Sequence, residues 1–579
     1  MKKLYSVLFV LTCMIMQTFI IAADPPKGIT LFQNNDGYTV EFNLPSYELV
    51  TIKGGDEEFY NLVIKDYGIT PEEGLPGLPL ISFNLFIADN EGTPSLSLLR
   101  KNSEEIGLDK HIYPKQMPWE KSNPLSDRPF TMNEQYYRTT GVEIPFVKIS
   151  EPFIIGGVKG VMITVYPFNY NPKDKKLTVI TEGSFKIVLN QSPATMQRKS
   201  ESFNSFLKGI FINYNGIPAE SMMRYLIITD PQFEAGLASF KTHKENFGCV
   251  VDLFTTSATG TTTTAIKSFI QARYNDPGIR PEYVLFVGDV QHIPAWVGSG
   301  TGTPYTDLKY VQLEGTDPFA DAFVGRFSVT NATELQNAIN KSIFMESNIS
   351  TIAKKNVFCA STDNYQITEG THNYVINNWF QPEGFTNLKL YTVTYNATTA
   401  QLIAALNDNQ RFAIYSGHGA ETYWADGPQL NQTQVRALTN SVFPFVYSFS
   451  CITGSYHIAE CFGETWLRTT NGGSTFYGSS VNSYWDEDDV LEKKLIYSMF
   501  EDELTRVTPM FDMAKVYLAN HYGSITGMVL RYLEMYNLMG DPSMPTMRQI
   551  PPDTTPPDPI VDLATGDVTS NSVILNWTA

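Results

Sequence analysis

From Arg224 onward the chain repeats one pattern: a short apolar run, a turn, then a helical period. The runs are "YLIITD", "YVLFVGD", "FADAFVGRFSV", "NVFCAST", "LKLYTVTY", "RFAIYS" and "FVYSFS", and segments such as "TELQNAINKSIFMES" and "TTAQLIAALNDN" lie between them. Runs this short suit buried strands, whereas the intervening segments carry the 3.6-residue period of helices. Strands alternating with helices give parallel βαβ units, hence a sheet covered on both faces. In such sheets ligands and reactive groups collect outside the carboxyl ends of the strands.

Two successive runs end on reactive groups. "RFAIYS" leads into Gly417-His418-Gly419, and "FVYSFS" ends at Cys451. Neighbouring strands would bring His418 and Cys451 to one crevice, where an imidazole serves as proton acceptor or cationic partner for a thiolate nucleophile. Gly417 and Gly419 allow close backbone approach, and the amides of Gly419 and Cys451 are candidates for an oxyanion hole. Two other readings of the same residues stand beside this one. Cys451 is then a buried structural cysteine near a turn histidine, or the partner of Cys461 in a disulfide.

The flanking regions differ in texture. Residues 24–210 are β-rich, with "GYTVEFNLPSYELVTI", "LPLISFNLFIAD" and "KLTVITEGSFKIVLN" separated by Pro, Gly and Asn turns. The polar stretch "NQSPATMQRKSESFNSFLKG" is expected to be an exposed, cleavable linker, with Arg198, Lys199 and Lys208 as candidate sites. Residues 549–558 form a Pro-rich linker, and 559–579 have the alternation that opens a fibronectin type III β-sandwich.

At the amino terminus Lys2 and Lys3 precede an apolar run ending in Ala22-Ala23, the pattern of a secretory signal peptide over residues 1–23. No later stretch has the roughly 18 uninterrupted apolar residues of a membrane span, so the expected location is secreted or cell-surface. Of the five cysteines, Cys13 lies in this leader, which leaves Cys249, Cys359, Cys451 and Cys461, too few for a disulfide scaffold in so long a chain. A net charge of −18 argues against nucleic-acid binding. His457 and His521 have no zinc-ligand spacing. Asp317, Asp321 and the "DEDD" run at 486–489 read first as surface charge and second as oxygen ligands for a structural calcium.

Taken in order, "VGDVQHIPA", "FVGRFSV", "GHGAETYWAD", "CITGSYHIAECFGETWLR" and "MGDPS" resemble the gingipain-type cysteine peptidases, relatives of the caspase fold, over about residues 224–546. The β-rich region ahead of them resembles that family's inhibitory propeptide. The resemblance implies a caspase-like α/β catalytic domain of two parts, residues 211–350 and 351–548, with mostly parallel sheets flanked by helices. It implies Cys451 as nucleophile and His418 as the group that protonates the leaving amine. Asp363 stands where the family has a glutamate orienting the histidine. Glu369 is the counterpart of the acid that holds a basic substrate side chain, Arg before Lys, and Trp485 matches a tryptophan packed over that pocket. No cofactor is required, although the family binds calcium.

The expected function is a secreted cysteine endopeptidase made as a zymogen, acting on proteins or peptides and restrained by its own propeptide. Two alternatives are a sortase-like transpeptidase and a non-enzymatic surface adhesion protein.

Overall fold

The computed structural model describes residues 25–88, 92–122, 129–189, 199–216, 219–220, 222–547, 564–568 and 573–576. The expected signal peptide, the 549–558 linker and Arg198 lie outside the described residues. Of the expected fibronectin module, two antiparallel strands are described, Ala564–Val568 and Val573–Asn576. Among the described residues no helix is long and apolar enough to cross a membrane.

The amino-terminal region is antiparallel β, as its alternation predicts. One five-stranded sheet is centred on Lys176–Val188, which pairs with Gly37–Asn43, Ser95–Gly107 and Phe168–Asn171. A second is centred on Val158–Val165 and Pro79–Phe86. Inward-facing residues of both, among them Val40, Phe42, Leu177 and Phe185 from the first and Phe83, Leu85, Val161 and Ile163 from the second, share one apolar core. This is the packing that period-two sequences favour.

The second unit is built on one ten-stranded sheet. Its strands are β1 (Met223–Thr229), β2 (Cys249–Thr255), β3 (Tyr283–Val287), β4 (Phe323–Phe327), β5 (Lys355–Ala360), β6 (Thr386–Tyr391), β7 (Phe412–Ser416), β8 (Phe445–Phe449), β9 (Thr475–Ser479) and β10 (Tyr536–Met539). They lie in the order β2-β1-β3-β4-β10-β9-β8-β7-β5-β6. All neighbours are parallel except β9 and β10, so the sheet reverses direction once. The division expected at residue 350 is not a break in the sheet. Strand β10, from the second part of the sequence, pairs with β4 of the first through Arg326 and Met539, because the chain returns to the middle of the sheet before leaving it.

The expected exposed linker is corrected in its described part. Residues Glu201–Ile210 form a helix, α1, whose Phe203, Phe206, Leu207 and Ile210 are buried in the core of the α/β unit. The i, i+3, i+4, i+7 spacing of those four residues makes the helix amphipathic, and Ser200 caps it by accepting from the Phe203 amide (3.2 Å). Lys199 is buried, and burial lowers its pKa, so of the described candidates only Lys208 is exposed.

Candidate active site

Four strands adjacent in the sheet, β5, β7, β8 and β9, end at the same edge and deliver the loops of the site. Asp363 follows β5, His418 follows β7, and Cys451 follows β8. The segment Ser480–Tyr484, ahead of helix α2 (Trp485–Phe500), follows β9. The structure thus brings together His418, Cys451 and Asp363.

His418 Nε2 lies 3.3 Å from Asp363 Oδ2. Both loops are fixed from beneath. Tyr415 donates its hydroxyl to His418 O (2.6 Å) and lies 2.9 Å from Asp426 O. The Asp426 carboxylate accepts from the amides of Thr362 (2.7 Å) and Asp363 (3.1 Å) and from the Thr362 hydroxyl (2.5 Å). Burial acts to raise the Asp426 pKa, but the Thr362 hydroxyl and the Asp363, Gly427 and Thr362 amides outweigh it and hold the carboxyl below its usual value. Sequence reasoning missed Asp426, although "YWADG" places it at a turn glycine where an aspartate side chain gathers amides.

Cys451 is buried. Its Sγ accepts from the Ser483 amide (3.3 Å) and lies 3.7 Å from the Ser483 carbonyl. Burial pushes the thiol up to about 11, opposed by the Ser483 amide and the charge of Lys121. A disulfide with Cys461 is not formed: both are free, and Cys461 caps the helix Phe462–Arg468, its amide donating to Glu464 Oε2 (2.7 Å). Gly419 must be glycine, since a Cβ there would stand 2.4 Å from Cys451 O. That contact puts Gly419, one of the two expected oxyanion-hole positions, against the backbone of the other, Cys451.

The cleft is filled from the amino-terminal β region. Trp119-Glu120-Lys121 runs antiparallel to Ser483-Tyr484-Trp485: the Lys121 amide donates to Ser483 O (2.9 Å), the Trp485 amide donates to Trp119 O (3.2 Å), and Glu120 bridges Tyr484. The Lys121 side chain enters a closed pocket. Its Nζ donates to Phe449 O (2.6 Å) and Ser416 Oγ (3.3 Å) and pairs with Asp488 Oδ2 (2.8 Å), with the Trp485 ring centroid 5.0 Å away. Lys121 and Asp488 are 0% and 1% exposed. Three acceptors converge on a group with three donors. The carboxylate is itself held by the hydroxyls of Tyr536 (2.7 Å) and Tyr532 (3.0 Å) on Oδ1 and of Ser483 (2.7 Å) on Oδ2.

The carboxylate that meets a basic side chain in the cleft is thus Asp488 and not Glu369. Glu369 sits on helix Tyr365–Val375 and accepts from Thr394, beyond the edge strand β6, because its helical phase turns it away from the crevice. Trp485 does lie in the site, its ring edge-on to His418 (5.3 Å) and 6.1 Å from Trp119.

The "DEDD" run is neither surface charge nor a calcium cluster. Glu487 accepts from Tyr522, Asp488 faces the pocket and Asp489 pairs with Lys493, so the carboxylates diverge around α2. Asp317 and Asp321 are taken up by backbone amides, of Ile154 and Phe319 for the first and of Gly156, Leu313 and Glu314 for the second. Among the described residues no group of three or more His, Cys, Asp or Glu side chains is arranged to hold a metal. Helix phase was the available signal for Asp488: it follows Trp485 by three residues and shares its face.

Comparison with known proteins agrees with this geometry. The family model for peptidase family C25 matches residues 219–547, and that for the C25 propeptide matches residues 17–222. Gingipain R2 of Porphyromonas gingivalis is 27% identical over 446 residues, 72% of this chain and 59% of that protein. Lys-gingipain of the same species is 26% identical over 602 residues, 93% of this chain and 34% of that protein. The chain thus spans 59% of the first of these relatives and 34% of the second. A solved structure described as "Structure of Protease" is 27% identical, with a TM-score of 0.52 over 57% of this chain and 80% of that one. The crystal structure of the Arg-specific cysteine proteinase gingipain R shares the fold at 22% identity, with a TM-score of 0.51 over 57% of this chain and 80% of that chain. By the match across its α/β unit, joined to a matching propeptide region ahead of it, this chain belongs to peptidase family C25.

Proposed function

We propose that the chain is an exported cysteine endopeptidase made as a zymogen, cleaving after lysine, with its amino-terminal β region as the inhibitor of its own cleft. The observation that carries this is Lys121, inserted beside Cys451 into the Asp488 pocket from a segment paired as a strand. An extended peptide with a basic side chain in that pocket is what a substrate of such a cleft would look like.

Cys451 is the nucleophile. His418 accepts the thiol proton and returns it to the leaving amine, while Asp363 on Nε2 leaves Nδ1 as the nitrogen for that transfer. The thiolate attacks the carbonyl carbon after the lysine, the amides at Gly419 and Cys451 stabilise the oxyanion, and water then releases the acyl group. In the covered form Lys121 fills the Asp488 pocket and its segment is paired along Ser483–Trp485, so a substrate cannot enter, which accounts for latency. Lysine is favoured over arginine because three acceptors are spaced for an ammonium, where a planar guanidinium would need a bidentate carboxylate. Among the described residues, Asp317, Asp321 and the acids at 486–489 diverge and form no calcium cluster in this reading. The family relatives, described as gingipains, favour hydrolysis over the transpeptidase and adhesion alternatives.

The test is cleavage of paired peptides with Lys, Arg or Leu before the scissile bond by the chain after activating proteolysis. Cleavage after Lys, lost in Cys451→Ala, is expected; cleavage indifferent to that residue would overturn the proposal.

A further inference from the structure

We propose that the cleft has a second charged subsite, in which Arg531 and Asn482 select an acidic residue immediately before the lysine. This rests on the reading of Trp119-Glu120-Lys121 as a substrate-like segment. With Lys121 in the Asp488 pocket, Glu120 is the next residue towards the amino terminus, and its side chain meets a polar set of its own. Arg531 Nη2 donates to Glu120 Oε1 (3.2 Å), and Asn482 Nδ2 donates to Glu120 Oε2 (3.3 Å). Ser122, in the same segment, donates to Oε2 at 3.4 Å.

The guanidinium belongs to the site and not to the surface. Arg531 lies on helix Met528–Met535 and its side chain is 3% exposed. It is positioned by the Asn482 carbonyl (2.5 Å) and lies 4.7 Å above the Tyr484 ring, the residue across which Glu120 pairs. Among the described residues Glu120 is the one carboxylate within ion-pair distance of Arg531. Departure of the inhibitory segment therefore leaves a guanidinium without its carboxylate in the wall of the open cleft, one residue from the lysine pocket. A carboxylate on the substrate restores the pair, an amide restores a hydrogen bond without the charge, an apolar side chain restores neither, and a cation is repelled. The substrate class is thus an extended segment reading acid-lysine, with the cut after the lysine.

Two measurements decide this. The first uses the chain after activating proteolysis and peptides identical except for Glu, Gln, Leu or Lys before a fixed lysine. We expect kcat/KM to fall about tenfold from Glu to Gln, as for exchange of a charged for a neutral hydrogen bond, and to be lowest for Lys. In Arg531→Gln the Glu-to-Gln ratio should fall to within about twofold. Arg531 is buried and its replacement is open to misfolding, but the wild-type ratio alone is decisive.

The second uses the uncleaved chain. Glu120→Gln and Lys121→Ala should each raise its residual activity, since each removes one charged anchor of the inhibitory segment. Efficient cleavage after lysine with all four peptides within about twofold would overturn the acidic subsite and leave the lysine pocket standing. Failure to cleave after lysine in any peptide would overturn both.

Discussion

Asp488→Asn isolates the charge in the proposed lysine pocket from its shape. The asparagine carbonyl can still accept from Tyr532 and Tyr536, which hold Oδ1 in the wild type, so the packing around α2 is retained. What changes is the atom facing the substrate ammonium, 2.8 Å away in the Lys121 complex: an anionic oxygen becomes an amide donor. Both partners are buried, and removing one member of a buried pair costs about 3–5 kcal/mol because the other is left uncompensated. At ~1.4 kcal/mol per factor of ten, kcat/KM for lysine peptides should fall between about a hundredfold and several thousandfold. The nucleophile should not suffer, since the Asp488 charge acts to raise the Cys451 thiol and its loss removes that effect. A leucine peptide should therefore be cut within about threefold of the wild-type rate, a difference below 1 kcal/mol. Kinetics on lysine, arginine and leucine peptides, with thermal melting as a folding control, provide the assay. A loss below tenfold on lysine, or an equal loss on lysine and leucine, would refute the role of Asp488.

Cys451→Ala should abolish peptide cleavage with the fold intact by circular dichroism, whereas Cys461→Ala, at a helix start away from the crevice, should keep most of it. Gly419→Ala should be inactive though folded, because its Cβ would strike Cys451 O; near-normal turnover would show that the glycine loop is not part of the site. Alkylation of Cys451 in the uncleaved chain should follow a pH profile with its midpoint near 11, displaced upward from the usual value of 9.0 by burial. A raised thiol pKa stabilises the folded chain while the thiol is protonated, and that contribution is lost as pH rises from about 9 to about 11; a midpoint at or below 9 would contradict it. Lys341→Met should cost about 2–4 kcal/mol in urea denaturation, because it removes the buried Nζ that donates to the carbonyls of Trp466, Leu467, Thr469 and Asn471, of which Trp466 O keeps the Gly473 amide.

His418 and Cys451 were legible because each ends an apolar run, and in a parallel sheet a run's end is also a place in space. Asp363 was legible only through family resemblance, since nothing local says which acid after β5 meets an imidazole after β7. Asp488 was hidden in a run of four acids: composition reads all four as solvated, and only the phase of α2 turns one of them inward. The same blindness to phase made "SESFNSFLKG" a linker, although Phe203, Phe206, Leu207 and Ile210 carry a helical period within it. Lys121 and Glu120 had no local signal at all. Their partners, Asp488 and Arg531, lie more than 360 residues away, and the contacts exist only once the two units are packed together.

The antiparallel register of residues 119–121 against 483–485 also dictates what shape of polypeptide the cleft can accept. Two backbone groups of the inserted segment bond the same rim, the amide of Lys121 and the carbonyl of Trp119. A guest chain must therefore be pulled straight over at least three residues, so a lysine inside an intact helix or a paired central strand is invisible to the cleft until that element frays. Proline immediately before the lysine forfeits no rim contact, because the Glu120 amide makes none of these bonds, whereas methylating the amide of the lysine itself removes one of the two. On the proposed lysine specificity, hairpin tips, unstructured termini and unfolding proteins are then the substrates, and a tightly folded neighbour with the same residues in its helices is spared.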